Sequence, residues 1–115
     1  MINGAHIVLY SRDAEADREF FRDVLGWPHV DAGRGWLIFA SPPAEVAMHP
    51  TDDGAAHELM LMCDDLDATM EELRAKGVEF AQQVTELRWG RLTAFHLPGG
   101  GELGLYQPTH PRPEA

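Results

Sequence analysis

The sequence predicts an α+β domain assembled from two similar halves, each running from a strand through a helix into further strands. Three observations support this. Short runs of strand-forming residues alternate with capped helical stripes, a glycine stops each helix, and the order of elements restarts after a loop at residues 50–54.

Ala5-His6-Ile7-Val8-Leu9-Tyr10 is the first strand run, and Ser11-Arg12-Asp13 closes it with a helix cap. Between residues 14 and 25, Phe20, Phe21, Val24 and Leu25 recur at i, i+1, i+4 and i+5, which is one helical stripe. Gly26 ends that helix and Pro28 prevents its resumption. Residues 36–40 and 45–49 read as strands parted by Ser41-Pro42-Pro43, with a weaker strand at residues 29–31.

In the second half residues 58–63 form a strand run and Asp64-Asp65 a cap, and Leu66, Met70 and Leu73 space out a helix ending at Lys76-Gly77. Residues 91–96 and 102–106 are strands joined by Pro98-Gly99-Gly100-Gly101. The proline-rich tail, residues 109–115, cannot hold regular structure and is expected to be mobile or draped. An offset of 52 lays His6 on Glu58, Val8 on Met60, Leu9 on Leu61 and Asp13 on Asp65. A long repeat occurring twice reads as paired halves of one domain, about 4–50 and 56–108, within a single unit spanning 1–108.

The 115 residues include 19 acidic and 9 basic side chains, for a net charge of −10, which excludes nucleic acid as a partner. Each half carries −5, so the acidity reads as a solvated surface, with a cation-receiving pocket as the alternative. Cys63 is alone, so no disulfide forms within the chain. No apolar stretch approaches the ~20 residues of a spanning helix. Residues 1–4 lack a charged leader, and the expectation is a cytoplasmic protein without a membrane partner.

The pattern resembles the vicinal oxygen chelate superfamily, which contains glyoxalase I, bleomycin-resistance proteins and extradiol dioxygenases. The resemblance covers residues 4–108. It rests on His6 opening the first strand, Phe20-Phe21-Arg22-Asp23-Val24-Leu25-Gly26 closing the first helix, and Cys63-Asp64-Asp65-Leu66 leading into Leu73-Arg74-Ala75-Lys76-Gly77-Val78. Leu97-Pro98-Gly99-Gly100 into Leu105-Tyr106-Gln107-Pro108 completes it. The resemblance implies two βαβββ modules forming a cupped, eight-stranded sheet around a small-molecule pocket, in a homodimer.

It also implies a divalent metal, such as Fe, Zn, Ni or Mn, held by His and Glu side chains from the first and last strands of each module. His6 stands at the first ligand place and Glu58 at its counterpart. The usual Asn-x-Ile-Glu-Leu of the last strand is replaced by Gly101-Glu102-Leu103-Gly104-Leu105, which puts glycine at the third place. Aligning His49-Pro50 with Gln107-Pro108 puts Val46 at the fourth. Glu102, two residues before Gly104, faces the same side and is a replacement carboxylate, so His6, Glu58 and Glu102 form the candidate metal set. The other reading is a cup with no metal.

Alternation places Ile7, Leu9, Leu59 and Leu61 under helices and His6, Val8, Tyr10, Glu58, Met60 and Met62 on the cupped face. Val8, Tyr10, Trp36, Met60, Met62, Trp89 and Tyr106 are the candidate pocket residues. Trp89-Gly90 lies in a loop, where a large apolar side chain covers a ligand or a partner subunit. Gly99-Gly100-Gly101-Glu102-Leu103-Gly104 spells G-x-G-x-x-G but lacks a following helix, so it is not a dinucleotide fingerprint. His57-Glu58 begins like a zincin motif, yet Leu61 stands where the second histidine belongs, which leaves His57 a loop or strand-edge residue, or a spare ligand beside Glu58. Cys63 reads as a buried small hydrophobe.

Three functions follow in order of preference. The first is a protein that binds a small molecule in the cup without a full metal site. The second is a metal-dependent lyase or ring-cleaving dioxygenase using His6 and Glu58. The third is a partner-binding module with no ligand.

Overall fold

Each helix begins at an aspartate whose side chain takes up a free backbone N–H. Asp13 Oδ1 accepts from the Ala16 N–H and Asp65 Oδ1 from the Ala68 N–H, both at 3.1 Å. Helix α1 (Ala14–Asp23) and helix α2 (Leu66–Ala75) follow. Gly26 and Gly77 then take φ of +69° and +87°, the left-handed conformation that turns the chain out of a helix. This computed structural model describes residue 1 and residues 3–113; Ile2, Glu114 and Ala115, the last two within the expected tail, lie outside the described residues.

Strands β1 (His29–Asp31) and β2 (Leu37–Phe39) form an antiparallel ribbon. Four more strands make the main sheet: β3 (Met60–Met62), β4 (Thr85–Leu87), β5 (Gly90–His96) and β6 (Glu102–Pro108). Their order is β3-β6-β5-β4, with β3 parallel to β6 and the other neighbours antiparallel. The second half is therefore a complete βαβββ unit. Strand β4 was not legible beforehand, because Thr-Glu-Leu is too short to show alternation.

The first half departs from expectation. Residues 5–10 and 45–49 read as strands but are not in either sheet, and no backbone hydrogen bond among the described residues fastens them to one. Ile7, Val8, Leu9, Tyr10, Val46 and Met48 are exposed as a result. Branched and aromatic side chains favour a pleated, half-buried surface, but a strand exists only when its N–H and C=O groups meet a partner edge. The eight-stranded cup implied by the resemblance is thus represented by six strands in two sheets among the described residues.

The core lies where both helices cover one face of the four-stranded sheet. Phe20 and Phe21 of α1 and Leu66, Met70 and Leu73 of α2 pack with Phe95, Leu103 and Leu105. The Phe20 and Phe95 rings are 6.0 Å apart. Asp17 Oδ1 accepts from the Gly99 N–H at 2.7 Å, tying α1 to the turn between β5 and β6. Thr93 is fully buried, and its hydroxyl donates to the Gln82 carbonyl at 2.9 Å, so that no polar atom is stranded. The tail begins against the turn between β4 and β5, with the Thr109 N–H donating to the Trp89 carbonyl at 2.9 Å.

Candidate functional site

Along β6, Leu103 and Leu105 enter the core, so alternation turns Glu102 and Gly104 to the opposite face. Antiparallel register sets Ala94 directly beside Gly104, and Leu92 two residues from Ala94 on the same side. A cavity of about 400 Å³ lies here, of a size that suits a small organic molecule. Leu9, Leu59, Leu92, Ala94, Leu103 and Gly104 supply its apolar lining. His57, Glu58, Gln82, Thr93 and Glu102 supply the polar groups.

A larger groove of about 640 Å³ runs between α2 and residues 80–84, but it belongs wholly to the second half. There the Arg74 guanidinium stacks 5.1 Å from the centre of the Phe80 ring. The smaller cavity takes Leu9 from the first half and the rest of its lining from the second, so it marks the meeting place of the two. Ligand sites favour such junctions, which makes the smaller cavity the candidate site.

Of the proposed metal set, Glu58 and Glu102 line this cavity. The Glu102 carboxylate also stands 3.9 Å from His96 Nδ1, its cross-strand neighbour, with both side chains about half exposed. His6 is exposed in the unpaired first segment and is not part of the lining. Among the described residues no three His, Cys, Asp or Glu side chains converge on one point.

The seven candidate pocket side chains fall elsewhere. Val8 and Tyr10 are exposed, Tyr10 almost completely. Trp36 stacks against the Arg18 guanidinium at 4.6 Å. Met60 and Met62 are half-buried in β3, and Met60 packs on Gly104 rather than lining the cavity itself. Trp89 meets Tyr106 edge to face at 5.3 Å, and the buried Tyr106 hydroxyl donates to the Trp89 carbonyl at 2.7 Å. Burial first, and the Glu45 carboxylate second, push the Tyr106 phenol above its ordinary pKa.

Leu9, expected under a helix, lines the cavity instead. The reason is physical: alternation assigns faces only within a paired strand, and residues 5–10 are unpaired. Leu92, Ala94 and Gln82 were not anticipated; counting the β5–β6 register outward from the glycine-rich turn finds the first two, while no sequence signal marks Gln82. Cys63 is half-buried, with its thiol pKa raised chiefly by that burial.

The residues present do not fit the four-ligand metal centre that the resemblance implies. Gly104 and Val46 offer no side-chain donor, and Val46 is exposed. The space over Gly104 is filled, since a Cβ there would come within 2.8 Å of Met60 Cγ.

Comparison with known proteins gives a consistent picture. The Glyoxalase/Bleomycin resistance protein/Dioxygenase superfamily matches residues 4–105. An uncharacterised Bacillus subtilis protein, YetH, is 24% identical, with 77% of this chain and 84% of that protein covered. The fold is similar to TnmS3, an antibiotic binding protein from Streptomyces sp. CB03234, with TM-score 0.65, 28% identity and coverage of 95% and 100% of the two chains. It is also similar in fold to a lactoylglutathione lyase from Agrobacterium tumefaciens, with TM-score 0.64, 18% identity and coverage of 90% and 92%. The chain belongs to the Glyoxalase/Bleomycin resistance protein/Dioxygenase superfamily.

Proposed function

We propose that this chain binds a small organic molecule in the cavity over β5 and β6, without a resident metal and without transforming what it binds. The observation that carries this reading is the lining. Two carboxylates, Glu58 and Glu102, line the same cavity as apolar Leu9, Leu59, Leu92 and Ala94, so a ligand with a cationic group and an apolar body meets both demands. At the third ligand place Gly104 offers no donor and lies against the Met60 side chain. The similarity to an antibiotic binding protein of 28% identity adds support for binding rather than turnover.

The working unit in this proposal is a homodimer. Ile7, Val8, Tyr10, Val46 and Met48 expose apolar surface on segments with no backbone hydrogen bond to either sheet among the described residues, and a second copy offers both cover and strand partners. The test is calorimetric titration of a cationic glycopeptide into the protein, with and without a chelator, repeated with Glu58→Gln. Saturable binding that survives the chelator and weakens in the variant supports the proposal. Binding or turnover that vanishes with the chelator and returns with a divalent ion supports a metal-dependent lyase or dioxygenase instead.

A further inference from the structure

Residues 45–49 make no backbone hydrogen bond to either sheet among the described residues, yet two of their side chains reach the place where Trp89 and Tyr106 meet. Glu45 Oε1 lies 3.4 Å from His110 Nε2 in the tail, and the centres of the His49 and Trp89 rings are 6.3 Å apart. In an extended chain residues 45, 47 and 49 share one side and residues 46 and 48 the other. Exposure follows that division, since Val46 and Met48 are 86% and 87% exposed whereas the Glu45 side chain is 22% exposed. The tail is fastened at the same place. Thr109 donates its N–H to the Trp89 carbonyl and its hydroxyl to the Arg88 carbonyl, and the His110 ring lies 5.7 Å from the Tyr106 ring.

The His110 imidazole stands between two acceptors. Its Nδ1 is 2.7 Å from the Pro111 carbonyl, and a carbonyl only accepts, so Nδ1 carries a proton. Its Nε2 faces the Glu45 carboxylate, which when ionised also only accepts. A neutral ring has one proton for the two positions, and an imidazolium has both. The titratable groups around it are the Glu45 carboxylate and the Tyr106 phenol, whose hydroxyl is committed to the Trp89 carbonyl. His49 stands against Trp89, Arg88 reaches the tail through its backbone carbonyl, and Arg112 follows in the tail itself.

We infer that Thr109 and His110 form a strap that closes when the His110 imidazole is protonated, seating residues 45–49 on Trp89 and Tyr106 and turning Val46 and Met48 outward. Histidine side chains change charge between about pH 5 and 8, so the strap is tight at the acid end of that range and released at the alkaline end. Both partners are partly buried, which protects the pair from screening by salt. The inference is independent of the small-molecule reading, and it adds control over the row of side chains that the proposed homodimer covers.

The experiment is ¹⁵N relaxation NMR on the full chain at about pH 5.5 and about pH 8, read at the amides of residues 45–49. Wild-type protein is expected to give order parameters of about 0.85 there at the lower pH and below about 0.6 at the higher. His110→Ala and Glu45→Gln should each leave the segment below about 0.6 at both, with unchanged α1, α2, β5 and β6 amides as the check on folding. His49→Gln should retain the wild-type response. Equal order at the two pH values in the wild type, or a wild-type response in folded His110→Ala, overturns the inference. A response lost in His49→Gln but kept in Glu45→Gln assigns the switch to the other histidine and overturns it as well.

Discussion

The Tyr106 hydroxyl donates to the Trp89 carbonyl at 2.7 Å, and the two rings meet edge to face 5.3 Å apart. This pair closes the end of the sheet where β4 turns into β5 and the tail leaves β6. Tyr106→Phe should lower unfolding stability by about 1 kcal/mol, measured by urea titration. The loss stays modest because the Trp89 carbonyl keeps its bond from the Thr109 N–H. A loss above ~3 kcal/mol would mean that the hydroxyl supports more than this one contact.

The same phenol predicts an alkaline limit to stability. Burial, reinforced by Glu45, raises its folded pKa above 10.0, the value it would have unperturbed. A raised folded pKa means that its contribution is complete below the unfolded pKa and is lost as pH rises through the folded one. The urea midpoint of the wild type should therefore drop above about pH 10 more steeply than that of Tyr106→Phe. Parallel pH profiles would contradict this assignment.

Gly90 is required for space. A side-chain carbon there would overlap the Tyr106 ring and come 2.6 Å from the Gln107 carbonyl oxygen, which belongs to fixed backbone. Gly90→Ala should cost about 1–3 kcal/mol by thermal or urea unfolding. Gly4→Ala serves as the control, since nothing lies within 4 Å of a Cβ at that position.

Asp17 anchors the first half to the second. Its carboxylate accepts from the Gly99 N–H at 2.7 Å, a charge-assisted bond between α1 and the β5–β6 turn. Asp17→Ala should lower stability by about 1.5–3 kcal/mol and speed hydrogen exchange at the Gly99 amide. Unchanged exchange at Gly99 would show that the turn is held by other means.

The proposed dimer predicts a sedimenting species of twice the 12.8 kDa chain mass at micromolar concentration. Val46→Asp combined with Met48→Asp should convert it to the monomer, because both side chains are exposed in the single chain and would be covered in the pair. A wild type that sediments only as monomer would remove the proposal.

Local signals made the helices legible in the sequence. Asp13 and Asp65 cap them, Gly26 and Gly77 end them, and Phe20, Phe21, Leu66, Met70 and Leu73 mark the buried stripes. Residues 5–10 and 45–49 read as strands yet join neither sheet, because Ile, Val and Leu report propensity, whereas pairing depends on a distant edge. The family resemblance pointed to Glu58 and Glu102 together with His6, and alternation gave their facing; the two glutamates line one cavity, whereas His6 does not. The occupation of the space above Gly104 by Met60 was not legible, because it depends on the parallel register of β3 and β6 and on a side-chain conformation.

The central claim is that the cup binds its ligand without a metal. Calorimetric titration of Ni²⁺, Fe²⁺ and Zn²⁺ into chelator-treated protein tests it most directly, with Glu58→Gln run in parallel. The account predicts no tight one-to-one uptake of any of these ions and no difference between the two proteins. Tight stoichiometric uptake by the wild type that Glu58→Gln abolishes would contradict it.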